Sequence, residues 1–275
     1  MQIFVSDKGF VKFYPMKLQR DYLAALCQFA KDVGAPEILV CDPHPSQKIF
    51  EVKDFCNKIG TTLKLLEQGT KWENRAELYV GLVKEAVRKD ICISHSPLVL
   101  WDYTAELRAA IMYLTARDLF QLQGSNPHTA TFGEEGDILH LCQFAWYEWV
   151  YCYDNSSAAR LPFLKAMLGR VLGLAKNEGN DMTQWCLKSN GKFVPRRTFK
   201  RLTAGQLAPS NAVKIAKRTD FDTNISRRLG DSFSLPENIK AIKNQAKGAA
   251  LDNFYGLTPF FDLYDVEPTV IPEYD

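Results

Sequence analysis

The chain has 275 residues, 46% hydrophobic and 24% charged, with a formal net charge of +2. That is enough apolar material for a packed core and too little charge bias for a disordered polyelectrolyte. No apolar run approaches the ~20 residues that cross a bilayer, and the N-terminus lacks the basic-then-apolar layout of a secretory signal, so an intracellular protein without a membrane partner is expected.

In chain order, Phe4-Val5-Ser6 and Phe10 to Tyr14 read as two strands joined through Asp7-Lys8-Gly9, a hairpin whose glycine supplies a positive φ. From Leu18 to Val33, Tyr22, Leu26, Phe29 and Val33 recur at spacings of three and four, and Gly34-Ala35-Pro36 stops the helix. Glu37 to Cys41 is a short continuous strand. Val52, Phe55, Cys56 and Ile59 mark the next helix, with Gly60 behind it, and Thr61 to Leu66 is strand-like. The run from Asn74 to about Lys89 puts Glu77, Gly81, Lys84 and Arg88 on one helical face and Ala76, Tyr79, Val83 and Val87 on another. Strand and helix alternating in this way predict a sheet flanked by helices.

A further helix is predicted between Leu98 and Ala116, then a turn-rich stretch at Gly124 to Pro127. The aromatic run from Phe144 to Tyr153 has strand propensity on both faces. Leu168 to Leu172, Thr183 to Lys188 and Lys192 to Val194 follow as strands, the last two joined by the hairpin signal Ser189-Asn190-Gly191. They suggest a small antiparallel barrel or sheet. After about residue 205 the apolar periodicity fades, and a mobile linker and tail are expected.

The seven cysteines are widely spaced and read as buried thiols. The four histidines form no short-spaced pair with them, so no structural zinc is expected. Charge is unevenly distributed: residues 165–228 carry 14 Lys+Arg against 4 Asp+Glu, while 251–275 hold only acidic charges. So dense a basic block attracts phosphate backbones through counterion release, unless it is merely a solvated surface. Trp146, Trp149 and Trp185 are expected in the core of a small domain rather than under nucleobases.

Asp42 closes an apolar strand and Glu77 opens a helix. Such placements commonly serve as caps. Two carboxylates so placed are also what holds a divalent ion against phosphate oxygens. Around them, Cys41-Asp42-Pro43-His44-Pro45-Ser46-Gln47, Asn74-Arg75-Ala76-Glu77 and Leu100-Trp101-Asp102-Tyr103 resemble the integrase region of copia-type LTR retrotransposons, most closely a divergent, algal-like branch. The resemblance covers most of residues 3–205. Leu168-Gly169-Arg170, Met182-Thr183-Gln184-Trp185 and Val194-Pro195-Arg196-Arg197 resemble the segment that follows the catalytic core in that branch, a part linked to DNA binding.

The resemblance implies an α/β RNase H-like core over 1–122, a mixed sheet flanked by helices with its first strand missing. A small basic antiparallel β domain over 137–205 and a linker with a disordered tail over 206–275 would follow. It implies DNA integration by metal-dependent strand transfer, with Asp42 and Glu77 as catalytic, Mg2+- or Mn2+-binding carboxylates of a Pol polyprotein fragment. Asn74, Lys84, Arg88, Arg196, Arg197, Lys200 and Arg201 would contact element and target DNA, in the nucleus and in a homo-oligomer. The family's first carboxylate lies on the opening strand, which has no counterpart here. Asp7 matches a turn residue, and Glu73 stands where a small residue is usual. Two carboxylates hold one hydrated ion weakly and do not maintain a two-metal site, so impaired activity is expected. The alternatives are a non-catalytic nucleic-acid-binding remnant and an assembly protein for acidic partners.

Overall fold

The computed structural model describes residues 1–42, 50–67, 75–115, 122, 124–153, 166–175, 178–179 and 182–229. Strands β1 (Gln2–Val5) and β2 (Val11–Tyr14) form an antiparallel hairpin in which Gly9 takes φ 80°. Neighbouring residues point to opposite faces, as the period of two requires. Ile3, Val11 and Phe13 enter one core and Phe4 and Tyr14 another. The hairpin is therefore covered on both sides.

Helix α1 (Tyr22–Val33) covers the Phe4 face with Tyr22, Ala25 and Leu26. It ends at Gly34, φ 107°, whose N–H donates to the carbonyl of Ala30 at 3.1 Å. A single 3-10 turn over Gln19–Asp21 precedes it where the spacing alone suggested continuous helix. Strand β3 (Ile38–Cys41), helix α2 (Phe50–Lys58) and strand β4 (Thr62–Leu65) form a crossover that pairs β3 and β4 in parallel.

Two expectations change here. First, β3 alternates instead of being buried throughout: Leu39 and Cys41 face α1 and α2, while Ile38 and Val40 are 55% and 47% exposed. Second, the four strands form two separate two-stranded sheets, not one mixed sheet. The physical reason is that, among the described residues, no strand bonds the backbones of β1 and β3 together.

Helices α3 (Arg75–Ser94) and α4 (Trp101–Leu114, after a 3-10 turn at Leu98–Leu100) close the other face of the hairpin. Tyr79, Val83, Val87 and Ile91 of α3 pack there, whereas Glu77, Gly81, Lys84 and Arg88 are exposed, the split that the spacing predicts. Between the two helices the Arg108 guanidinium donates two hydrogen bonds to the Asp90 carboxylate, whose side chain is 7% exposed.

Helix α4 is apolar on more than one face. Ala105 and Ala109 face the hairpin, and Leu107, Ala110 and Leu114 face a further core with Leu141, Trp146, Tyr147, Leu172 and Leu187. Short helices α5 (Pro127–Phe132), capped by the Asn126 side chain, and α6 (Leu139–Cys142) lead into the second half. There, β5 (Trp149–Tyr153), β6 (Ala166–Leu174), β7 (Gln184–Lys188), β8 (Phe193–Arg196) and β9 (Phe199–Arg201) form an antiparallel sheet of order β8-β7-β6-β5-β9. Its edge strands β8 and β9 are joined by two residues only, so the sheet must curl until the edges meet. The small barrel has its own interior of Phe144, Val150, Cys152, Val171 and Cys186.

The aromatic run is strand only from Trp149. Before it, Tyr147 takes φ 60° and donates its N–H to Val171, and the Trp146 indole donates to Ser96 Oγ at 3.1 Å. All three tryptophans named above pack against the α4 core. The mobile linker expected after residue 205 is corrected over its first part. A turn of helix α7 (Ala204–Leu207) leads to α8 (Ala212–Leu229), 18 residues long, with Phe221 and Ile225 buried in the α4 core. Leu229 packs beside them only partly buried, so the docking stripe is narrow and the helix carries a faint apolar periodicity. The described residues fall within one compact unit, and the acidic stretch 251–275 lies outside them. No helix among the described residues is long and apolar enough to cross a membrane.

Candidate nucleic-acid interface and carboxylate pair

Asp42 directly follows β3 and is half-buried. Its neighbour Cys41 shares a 3.2 Å hydrogen bond with the hydroxyl of Tyr22, the first residue of α1. Burial pushes the Cys41 thiol up to about 11, with Tyr22 opposing the rise and the Cys56 and Asp42 charges adding to it. Glu77 lies exposed in the first turn of α3. That turn is anchored at the β1–β2 turn, because Arg75 donates to the carbonyl of Asp7 and the Tyr79 hydroxyl occupies the space a side chain on Gly9 would need.

The carboxylates thus sit on different anchors, and among the described residues no hydrogen bond or ion pair joins them. Nor do the described residues contain a group of three or more His, Cys, Asp or Glu able to hold a metal ion. Among the described residues the donor set does not fit a two-metal centre, which needs several oxygens shared between ions about 3.5–4 Å apart. Asn74, Glu73 and residues 43–49, which carry part of the motif, lie outside the described residues.

The basic residues separate into internal and outward-facing groups. Arg170 is internal: its side chain is 11% exposed and its guanidinium lies 3.4 Å from the centre of the Trp149 ring and 4.3 Å from that of Tyr147. It donates to the Tyr147 carbonyl at 2.9 Å and to Asp222 of α8 at 3.2 Å. Burial lowers its pKa while Asp222 and Tyr147 oppose that. Arg196 donates to the carbonyls of Tyr153 and Pro195, both at 2.8 Å, and so ties β8 to the end of β5 across the barrel closure. Arg201 is exposed, pairs with Glu148 at 2.9 Å and also donates to the Gln143 carbonyl.

Arg197 and Lys200 are exposed, on the β8–β9 connection and on β9. Lys200 stands opposite Tyr151 in the β5–β9 register. From α8, Lys214 reaches the same tyrosine, donating to its hydroxyl at 3.1 Å and lying 5.5 Å from its ring centre. Lys214 is therefore a further member of this basic edge. Sequence reasoning missed its place because the helix that delivers it read as linker. On α3, Lys84 and Arg88 point outward beside Glu77. The Asp90–Arg108 pair and the Arg170 node were also unforeseen, since neither has a sequence spacing that announces the contact.

No family model matches the chain, and no curated protein matches it. Among solved structures it is similar to a cryo-EM structure of the simian T-cell lymphotropic virus intasome in complex with PP2A regulatory subunit B56 gamma. The identity is 13%, the TM-score is 0.41, and the likeness covers 74% of this chain and 72% of that one. A likeness this low carries no functional argument.

Proposed function

We propose that this chain is an integrase-like, nucleic-acid-binding protein of a retrotransposon, in which DNA binding is the working activity and metal-dependent strand transfer is impaired. The observation that carries the binding reading is the basic edge of the barrel, where Arg197 and Lys200 remain exposed and Lys214 lies beside Lys200 on Tyr151. Cations carried by a strand, its preceding connection and a docked helix suit a phosphate backbone, with affinity from counterion release. The front half, a hairpin, helix, strand, helix, strand and helix, is compatible with an RNase H-like core, although among the described residues no strand joins β1 to β3. On this reading Asp42 and Glu77 are surviving metal carboxylates and Lys84 and Arg88 flank the DNA. Asn74 belongs with them by its place in the motif. Action on chromosomal DNA would place the protein in the nucleus.

The test is a titration of duplex DNA at several salt concentrations. A log–log slope of about −0.9 per neutralised phosphate is expected, and a flat response removes the proposal. A parallel strand-transfer assay with Mg2+ or Mn2+ separates the two readings. Activity abolished by Asp42→Asn and Glu77→Gln would restore the enzyme, and binding without turnover supports the impaired form.

A further inference from the structure

Inside the barrel, Cys152 of β5 and Cys186 of β7 bring their sulphurs to 3.0 Å, both residues being wholly buried. Strand β6 runs between them. Strands two apart in a flat sheet are separated by about 9.5 Å, beyond the 4.4–6.8 Å between α-carbons that a disulfide spans. Two features bring the thiols together here. The sheet curls to closure, so inward side chains converge, and the β6 residue lying between the two sulphurs is Gly169. Cys152 stands opposite Met167 and Cys186 opposite Val171, which leaves Gly169 midway on the diagonal. A Cβ at Gly169 would lie 2.4 Å from Cys186 Sγ and 3.6 Å from Cys152 Sγ. The missing side chain is the gap through which the sulphurs meet.

Two buried thiols are ordinarily inert small apolar groups. These lie closer than ordinary non-bonded packing places two heavy atoms, and a bond at about 2.05 Å needs the sulphurs to approach by about 1 Å together with a backbone movement that draws β5 and β7 in. We infer that Cys152 and Cys186 are a site of reversible oxidation, forming a disulfide across β6 that locks the curl of the barrel. The oxidant is a low-molecular-weight disulfide such as oxidised glutathione. One cysteine thiolate attacks it, releasing one glutathione and leaving a mixed disulfide. The second thiolate attacks the protein sulphur of that mixed disulfide, releasing the other glutathione. The two protein protons end on the two glutathione thiols.

The Cys152 contact and burial both hold Cys186 protonated, so exchange in the closed barrel is slow and proceeds when the barrel opens. Once formed, the bond is shielded from reductant in the same way. The proposal stands apart from DNA binding, since it concerns the barrel interior and has its own readout.

The test uses the full chain carrying Cys142→Ser, which removes the exposed thiol. The protein is equilibrated with oxidised glutathione, remaining thiols are alkylated, and peptides are mapped by mass spectrometry. The expected result is a peptide linking Cys152 to Cys186, with the loss of two hydrogens, and a melting temperature raised by roughly 5–15 °C until strong reductant is added. Recovery of both cysteines separately alkylated or glutathionylated overturns the inference, as does a linked form with no gain in melting temperature. Gly169→Ala should lower the linked fraction at least roughly 10-fold, because its methyl displaces Cys186 Sγ. Should that variant not fold, the wild-type mapping alone decides.

Discussion

Phe221→Ala separates a docked helix from a linker. Phe221 is 2% exposed, and its ring lies edge-on to Trp149 with centroids 5.0 Å apart. Truncating a buried phenylalanine costs about 3–5 kcal/mol from lost transfer energy and the residual cavity, and the edge-on ring pair supplies about 0.5–1.5 kcal/mol of the interaction. Trp149 is also stacked on the Arg170 guanidinium, which is held by Asp222 one residue beyond Phe221, so the surroundings have little freedom to collapse into the gap. A destabilisation of about 4 kcal/mol follows. With a urea m-value of about 2–3 kcal/mol/M, the midpoint should fall by about 1.3–2 M. Val213→Ala on the same helix, at a residue 67% exposed, should stay within about 0.5 kcal/mol of the parent. Urea titrations of both variants by circular dichroism give the comparison. Equal midpoints would mean that residues 212–229 add nothing to the core, and the docking of α8 would be wrong.

Asp90→Leu should cost about 2–4 kcal/mol by urea titration, because it removes the carboxylate that the largely buried Arg108 guanidinium bonds twice; adding Arg108→Met should restore most of that, and an additive double variant would deny the coupling. At alkaline pH the Cys41 thiol, shifted by burial from 9.0 to about 11, stays neutral in the folded chain while the unfolded chain ionises. Its stabilisation, on the order of 2–3 kcal/mol, is complete below pH 9 and lost as pH rises to about 11. Urea titrations at pH 8 and pH 11 should show Cys41→Ala flattening that decline, and an unchanged slope would refute it. Arg197→Ala with Lys200→Ala should reduce the DNA salt slope by about 1.8 without lowering stability. Arg201→Ala should instead loosen the Glu148 contact and act on thermal melting, which differential scanning fluorimetry would reveal.

Much of the fold was legible where local chemistry decides conformation. Gly9, Gly34, Gly60 and Gly191, all placed at turns or helix ends by sequence, take positive φ in the structure. The faces of α3 followed from 3.6-residue periodicity, since one side meets a continuous apolar layer. What escaped was set by distant partners. The Phe144 to Glu148 stretch has strand propensity but is turned aside by packing of Trp146 and Tyr147 against α4, and α8 is fixed by contacts to residues more than 50 positions away. The barrel was foreseeable as several short strands, but its closure depends on strand order, which spacing does not encode. Of the candidate site residues, Lys84, Arg88, Arg197, Lys200 and Arg201 are exposed. The intramolecular contacts of Arg170, Arg196 and the exposed Arg201 did not show in a count of charges, because a guanidinium serves equally well as a phosphate ligand or a carbonyl clamp.

Ala109 and Ala110, neighbours on α4, are each 2% exposed and look into different cores. The helix is a party wall: a methyl added on one side is felt as pressure on the other. Enlarging both positions at once should therefore not sum the two separate penalties, and the front layer and the barrel should melt in step, as rooms that share a beam come down together.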